Sequence, residues 1–157
     1  MYSGEGGFRR IALDFHCPSL QGHSQRAAHP SNLPETPIAL LRMIQDVGLD
    51  NVFVNLDLAN LILYGKGNPV DAMDVIGHLV RGIHAKDGLF PTDPRQLGKE
   101  VPIGTGRVDF PGVFKKLKRV NYSGSITIER EISGEQQTKD IIQSKIYLQN
   151  LIERTYN

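Results

Sequence analysis

Residues 51–57 read NVFVNLD, an apolar run that closes on an aspartate. Val52, Val54 and Leu56 fall on one face at a period of two, and Phe53, Asn55 and Asp57 fall on the other, the side-chain pattern of a β-strand. Three more runs share this design: residues 9–16 (RRIALDFH), 79–87 (LVRGIHAKD) and 124–131 (GSITIERE) are short, mostly rich in β-branched residues, and end in ionisable groups. By the same alternation His84 lies with Gly82 and Lys86, Glu129 with Thr127, and Asp14 with Ala12 and His16. Ile83, Ile126 and Ile128 face the other way.

The segments between these runs have helical spacing. Residues 34–47 carry Pro, Glu and Thr at their start, with Gly48 just past their end. In residues 68–78 Asn68 is placed as a cap and Pro69 at the first helical position. Residues 109–120 have Asp109 as cap and basic residues in the last turn. Residues 135–154 repeat Ile141, Ile142, Ile146, Leu148, Leu151 and Ile152 at helical spacing. The order β-α-β-α-β-α-β-α predicts parallel strands with helices packed outside them. In such folds ligands bind at the carboxyl ends of the strands, where the βα loops open. Residues 17–32 are polar, rich in Ser, His and Gln, and too long for an ordinary connection, so a functional lid is expected there.

Composition excludes several classes. The 157 residues suit one domain with a sizeable core, and 39% hydrophobic with 22% charged residues is ordinary for a globular protein. A net charge of +1 gives no electrostatic case for nucleic acid or a membrane surface. Cys17 is the single cysteine, which rules out an internal disulfide framework and fits a reducing compartment. No run reaches the length of a membrane span, and MYSGEGGFRR has no apolar signal core, so a cytoplasmic protein is expected.

Asp57, His84 and Glu129, with Asp14 as a fourth, form a set of carboxylates plus one imidazole at strand ends. Such a donor set suits one divalent cation of the Mn²⁺, Mg²⁺, Co²⁺ or Zn²⁺ kind. Without a cation the clustered carboxylates would repel, and at least one would hold its proton to higher pH. Taken singly, each residue has an ordinary reading: Asp57 as a turn cap, His84 as a hydrogen-bonded core residue, Glu129 as an ion-pair partner of Arg130 or a lysine. Four successive strands ending in such a group on one face favour the metal site.

Longer blocks carry a family resemblance. VNLDLANLILYGKGNPVDAM, IHAKDG, VPIGTGRVDFPGVFKKLKRVNYSGSITIERE and, more loosely, IALDFH span roughly residues 10–131. Together they resemble the sugar phosphate isomerase/epimerase superfamily, the xylose isomerase-like TIM barrels. A full (β/α)₈ barrel takes about 250 residues. The resemblance therefore implies that residues 1–157 are the C-terminal half of a barrel, strands five to eight with their helices. The uncovered edges would need the missing half-barrel or a second copy of the chain.

The resemblance also implies roles. The family's last four strands supply Glu, Asp, His and Glu to one divalent metal, and these positions fall on Asp14, Asp57, His84 and Glu129. Asp14 stands where the family has Glu; its side chain is shorter by one C–C bond, about 1.5 Å, which compromises it as a proton-transfer base. The implied reaction is proton abstraction next to the carbonyl of a small-molecule sugar or sugar phosphate, through an enediolate, giving isomerisation or epimerisation. Glu129 is the expected base. Lys86 is expected either to stabilise an oxyanion or bind phosphate, or to pair with Asp87. His16, Asn60 and Arg107 are expected substrate contacts. GTGRVDF looks like a phosphate-cradling loop, although in the family such a loop more often shapes a helix start, here with Asp109 as cap. Two other readings stand beside this one: a catalytically inactive half-barrel that serves binding or assembly, and a keto-inositol dehydratase of the same superfamily. The superfamily's multi-zinc endonucleases are disfavoured: Asn60 replaces their histidine, and GKEVPIGTG lacks their Asp-x-His.

Overall fold

A computed structural model describes the backbone of residues 11–14 and all of residues 36–156. Strands β1 (Ile11–Asp14), β2 (Val52–Asp57), β3 (Val80–Ala85) and β6 (Ser125–Ile128) form one parallel sheet in the order β1-β2-β3-β6. Strands β4 (Asp87–Gly88) and β5 (Glu100–Val101) make a short antiparallel pair beyond the end of β3. Helices α1 (Pro37–Val47), α3 (Pro69–Ile76), α4 (Phe110–Arg119) and α5 (Glu135–Tyr156) alternate with the long strands. A one-turn helix α2 (Asn60–Leu63) follows β2 directly.

Local chemistry sets the helix ends. Thr36 Oγ1 accepts from the Ala39 amide, and Gly48 closes α1 with a left-handed φ of 64°, where a side chain would be strained. Asn68 and Asp109 cap α3 and α4, each accepting an amide from the first turn, with a proline in that turn. Three basic residues, Lys116, Lys118 and Arg119, occupy the last turn of α4 and complement its dipole.

Burial follows the strand alternation. Val52, Val54 and Leu56 of β2 and Ile83 of β3 are at most 3% exposed and pack with Phe110, Phe114 and other helix residues into one core. Asn55 and His84, on the opposite sheet face, are only half-buried. The sheet thus turns its apolar side to the helices and its more polar, more exposed side away from them. In α5 the helical spacing does not translate into one buried stripe: Leu148 is buried, whereas Ile142 and Ile146 are 52% and 49% exposed. Among the described residues, no helix is long and apolar enough to cross a membrane.

Candidate metal centre

Register assembles the site. β2 and β3 pair with Asp57 opposite His84, and β3 and β6 pair with Ala85 opposite Ile128. The Glu129 amide extends that ladder by donating to Ala85 O at 3.0 Å, so Glu129 emerges beside His84. One ligand atom each from Asp57, His84 and Glu129 then lies within 4.8 Å of the others. Asp14 ends β1 in register with Asn55, which places its backbone one strand away from the cluster. His16 and residues 17–32 lie outside the described residues.

Each oxygen of Asp57 has a different task. Oδ1 accepts the amides of Ala59 at 2.8 Å and Asn60 at 3.1 Å, which tightens the turn from β2 into α2. Oδ2 is buried and has no hydrogen-bond partner; the Lys86 ammonium stands 3.8 Å from it. Burial pushes the Asp57 carboxyl up from 3.8 to about 6, against the opposing pull of Lys86 and the two amides. Such an orphaned acceptor, in a group that burial penalises for its charge, is what a cation would relieve.

His84 is held at both ring nitrogens. Nδ1 lies 3.1 Å from Glu129 Oε2, and Nε2 lies 3.0 Å from Asn55 Nδ2. Two donors at ordinary bond lengths from one ion, set roughly at right angles, stand about 3 Å apart. The His84–Glu129 spacing therefore fits a shared cation. So does the chemistry of the set, oxygen-dominated with one imidazole. Side chains of His84 and Glu129 retain 26% and 20% exposure, whereas Asp57 is 2% exposed, so the cluster is closed beneath and open above.

Lys86 and Asp87 depart from expectation. Lys86 does not pair with Asp87. Its ammonium bonds Glu131 Oε1 at 2.6 Å and faces Asp57. Burial would make the ammonium easier to deprotonate, but the hydrogen bond to Glu131 and the carboxylates of Asp57, Glu129 and Glu131 outweigh it and hold the ammonium above its ordinary range. Asp87 is occupied elsewhere: Oδ1 accepts the amides of Gly88 at 2.8 Å and Val108 at 3.1 Å, and Oδ2 accepts those of Gly104 and Gly106, both at 2.9 Å. The glycine loop that reads like a phosphate cradle thus cradles a carboxylate of the chain itself. Gly106 is required there, because a Cβ would collide with Asp87 Oδ1.

Other expected contacts are placed as follows. Glu129 bonds His84 and not Arg130, which instead bridges Glu100 at 2.9 Å and Asp140 at 2.8 Å. Asn60 is buried and serves Asp57 through its amide. Arg107 is exposed, and its amide donates to Gly88 O. Asn55 and Glu131 were not singled out from the sequence. Strand alternation puts Asn55 on the Asp57 face, but a partner 29 residues away leaves no local mark.

A parallel βα array carrying an Asp–His–Glu cluster at its strand ends defines a class of barrel-type α/β proteins, and the comparisons with known proteins make that class specific. Residues 20–151 match the family described as Xylose isomerase-like TIM barrel, and the chain belongs to that family. Among curated relatives, an uncharacterized protein of Methanocaldococcus jannaschii (MJ1311) is 28% identical over 121 residues, 75% of this chain and 37% of that protein. The putative L-ribulose-5-phosphate 3-epimerase SgbU of Escherichia coli is 34% identical over 96 residues, 59% of this chain and 33% of that one. Among solved structures, a xylose isomerase domain protein from Planctomyces limnophilus superposes with a TM-score of 0.74 at 38% identity, over 77% of this chain and 45% of that chain. The chain thus spans a third to under half the length of these relatives, and its fold is a partial xylose isomerase-like TIM barrel.

Proposed function

We propose that this chain carries the metal-binding half, strands five to eight, of a sugar or sugar-phosphate epimerase or isomerase that works by proton abstraction next to a carbonyl. The observation that carries the reading is the convergence of Asp57, His84 and Glu129 from three adjacent parallel strands to within 4.8 Å. Epimerisation is favoured by the relatives: alongside SgbU, the L-ribulose 3-epimerase of Mesorhizobium japonicum is 30% identical over 99 residues, 63% of this chain and 30% of that one.

Asp57, His84 and Glu129 would hold one divalent cation, with Asp14 as the fourth ligand contributed by β1. When bound, the cation supplies Lewis-acid polarisation of the substrate carbonyl and its neighbouring hydroxyl. Glu129, open to the polar face, takes the proton from the carbon beside the carbonyl, leaving an enediolate. Return of a proton to the same carbon from the opposite face inverts it; return to the neighbouring carbon isomerises the sugar. Asp14, one methylene short, and residues from the complementary half are the candidates for that second proton transfer. Lys86 acts as the buried counter-charge beneath Asp57 instead of as a phosphate ligand, and His16, Asn60 and Arg107 are assigned to the substrate side.

The test uses L-ribulose and L-ribulose 5-phosphate in D₂O with Mn²⁺ added. Deuterium should enter the carbon adjacent to the carbonyl and should fail to enter with Glu129→Gln. Isothermal titration that detects no divalent binding dependent on Asp57 and Glu129 would sink the proposal.

A further inference from the structure

Strand β6 ends at Ile128, and the Glu129 amide on Ala85 O carries its ladder one bond further. Past that bond the chain runs through Arg130 to Glu131, and the carboxylates on either side of Arg130 both reach the site. Glu129 meets His84 at 3.1 Å and Glu131 meets Lys86 at 2.6 Å, each across 45 residues of sequence. Side chains two apart in an extended segment share a face, so Glu129 and Glu131 point together and Arg130 points the other way. The arrangement therefore depends on what holds this short segment once the strand is over.

Side chains from two other elements grip it. Both carboxylate oxygens of Glu100, in β5, accept the Glu131 amide, at 3.1 and 3.2 Å, and Oε1 also accepts Arg130 Nη1 at 2.9 Å. Arg130 Nε donates to Oδ2 of Asp140, in α5, at 2.8 Å, and Gln137 Nε2 donates to Arg130 O at 2.9 Å. The side chains of Arg130, Glu100 and Asp140 are 12%, 14% and 8% exposed, so these ion pairs lie largely out of water. A buried ion pair adds little stability over a well-packed apolar contact. What it does fix is direction, because a guanidinium and a carboxylate bond in set orientations. Glu100 joins this network to the backbone of Glu131, two residues past the candidate base.

We propose that Glu100 is a positioning residue of the metal centre: its carboxylate anchors the Glu131 amide and the Arg130 guanidinium, and so fixes where Glu129 and Glu131 present their carboxylates. Without that anchor the segment beyond the last ladder bond is free to shift. Glu129 then approaches Asp57 and His84 from a spread of positions. Glu131 also loosens its hold on Lys86, whose ammonium stands 3.8 Å from Asp57 Oδ2 and competes there with a cation. Both effects weaken cation binding. The inference rests on the metal-centre reading for its effect on a cation, whereas the anchor itself is a property of the metal-free chain. Groups that orient metal ligands from outside are worth about 10–100-fold in metal affinity.

The experiment combines amide hydrogen exchange of the metal-free full chain, read by ¹⁵N NMR, with calorimetry of Mn²⁺ binding. Glu100→Ala should speed exchange of the Glu131 amide about tenfold or more while the β2 amides keep wild-type rates, and should weaken Mn²⁺ binding about tenfold. Glu100→Gln retains an acceptor oxygen for the Glu131 amide and should recover part of both losses, which a purely destabilising change would not show. Arg130→Lys can reach only one of the two carboxylates and should move both readouts in the same direction, so a misfolded Glu100→Ala still leaves a test. Phe114→Ala, which weakens the core away from the segment, should leave the Mn²⁺ affinity of the folded fraction unchanged. Wild-type affinity in a folded Glu100→Ala, or a Glu131 amide that exchanges no faster in it, overturns the proposal. So does a Phe114→Ala that loses affinity as Glu100→Ala does. Absence of Mn²⁺ binding by the wild type instead removes the metal-centre reading, and the exchange rates then decide the anchor alone.

Discussion

Replacing Asp57 with asparagine should make the metal-free protein more stable while abolishing divalent binding. Burial pushes the Asp57 carboxyl from 3.8 to about 6, so the folded state holds that proton more tightly than the unfolded chain. The stability this group contributes is complete below its unfolded value of 3.8 and is lost as pH rises to about 6. At about 1.36 kcal/mol for each pH unit, the rise amounts to roughly 3 kcal/mol given up at neutral pH. Asparagine keeps Oδ1 as acceptor for the Ala59 and Asn60 amides, so the turn into α2 survives. Its NH₂ would face the Lys86 ammonium in place of a carboxylate, which takes back part of the gain and leaves about 1–3 kcal/mol. Urea unfolding in EDTA at about pH 7.5 measures the difference, and repetition at about pH 4 should find it mostly gone. Calorimetry with Mn²⁺ should show binding to the wild type only. A variant less stable than the wild type near neutral pH, or a gap that persists at low pH, would refute the idea that Asp57 is held charged at the fold's expense for a ligand's benefit.

Asp87→Ala strands the buried amides of Gly88 and Val108; at about 1–3 kcal/mol for each unpaired buried group, a loss of about 2–6 kcal/mol is expected in urea unfolding. A shift under 1 kcal/mol would show that the loop finds other acceptors. Glu131→Ala removes the nearer carboxylate from Lys86 and turns the ammonium toward Asp57. Divalent affinity measured by calorimetry should fall about tenfold, and unchanged or tighter binding counts against Lys86 as the competing charge. Phe114→Ala, at a fully buried core position of α4, should cost about 3–5 kcal/mol without changing the metal affinity of the folded fraction.

The helix caps and the strand faces were legible because their causes are local. Asn68 and Asp109 cap the helix that follows within three residues, and a period of two places Asn55 with Asp57 and apart from Val54 whatever the neighbours are. In α5 the spacing foretold the helix, Glu135–Tyr156, but not its burial. Helical spacing states which residues share a face, not whether another element covers that face, and Ile142 and Ile146 remain exposed. The β4–β5 pair and α2 went unseen because two-residue strands and a one-turn helix carry no period to read.

From sequence alone, then, came the alternation of strands and helices, the family blocks, and the fact that Asp57, His84 and Glu129 occupy strand ends. Tertiary structure decided what those groups meet. Parallel register set Asp57 against His84, and one further ladder bond brought Glu129 alongside. It gave Lys86 to Glu131, 45 residues away, and gave Asp87 to four loop amides, which removes the Lys86–Asp87 pair, one of the two alternatives the sequence left open for Lys86. Lys86 is the one-residue link between β3 and β4 and turns to Glu131 and Asp57, while Asp87 opens β4 and turns to the glycine loop; each took the partner its own side presented.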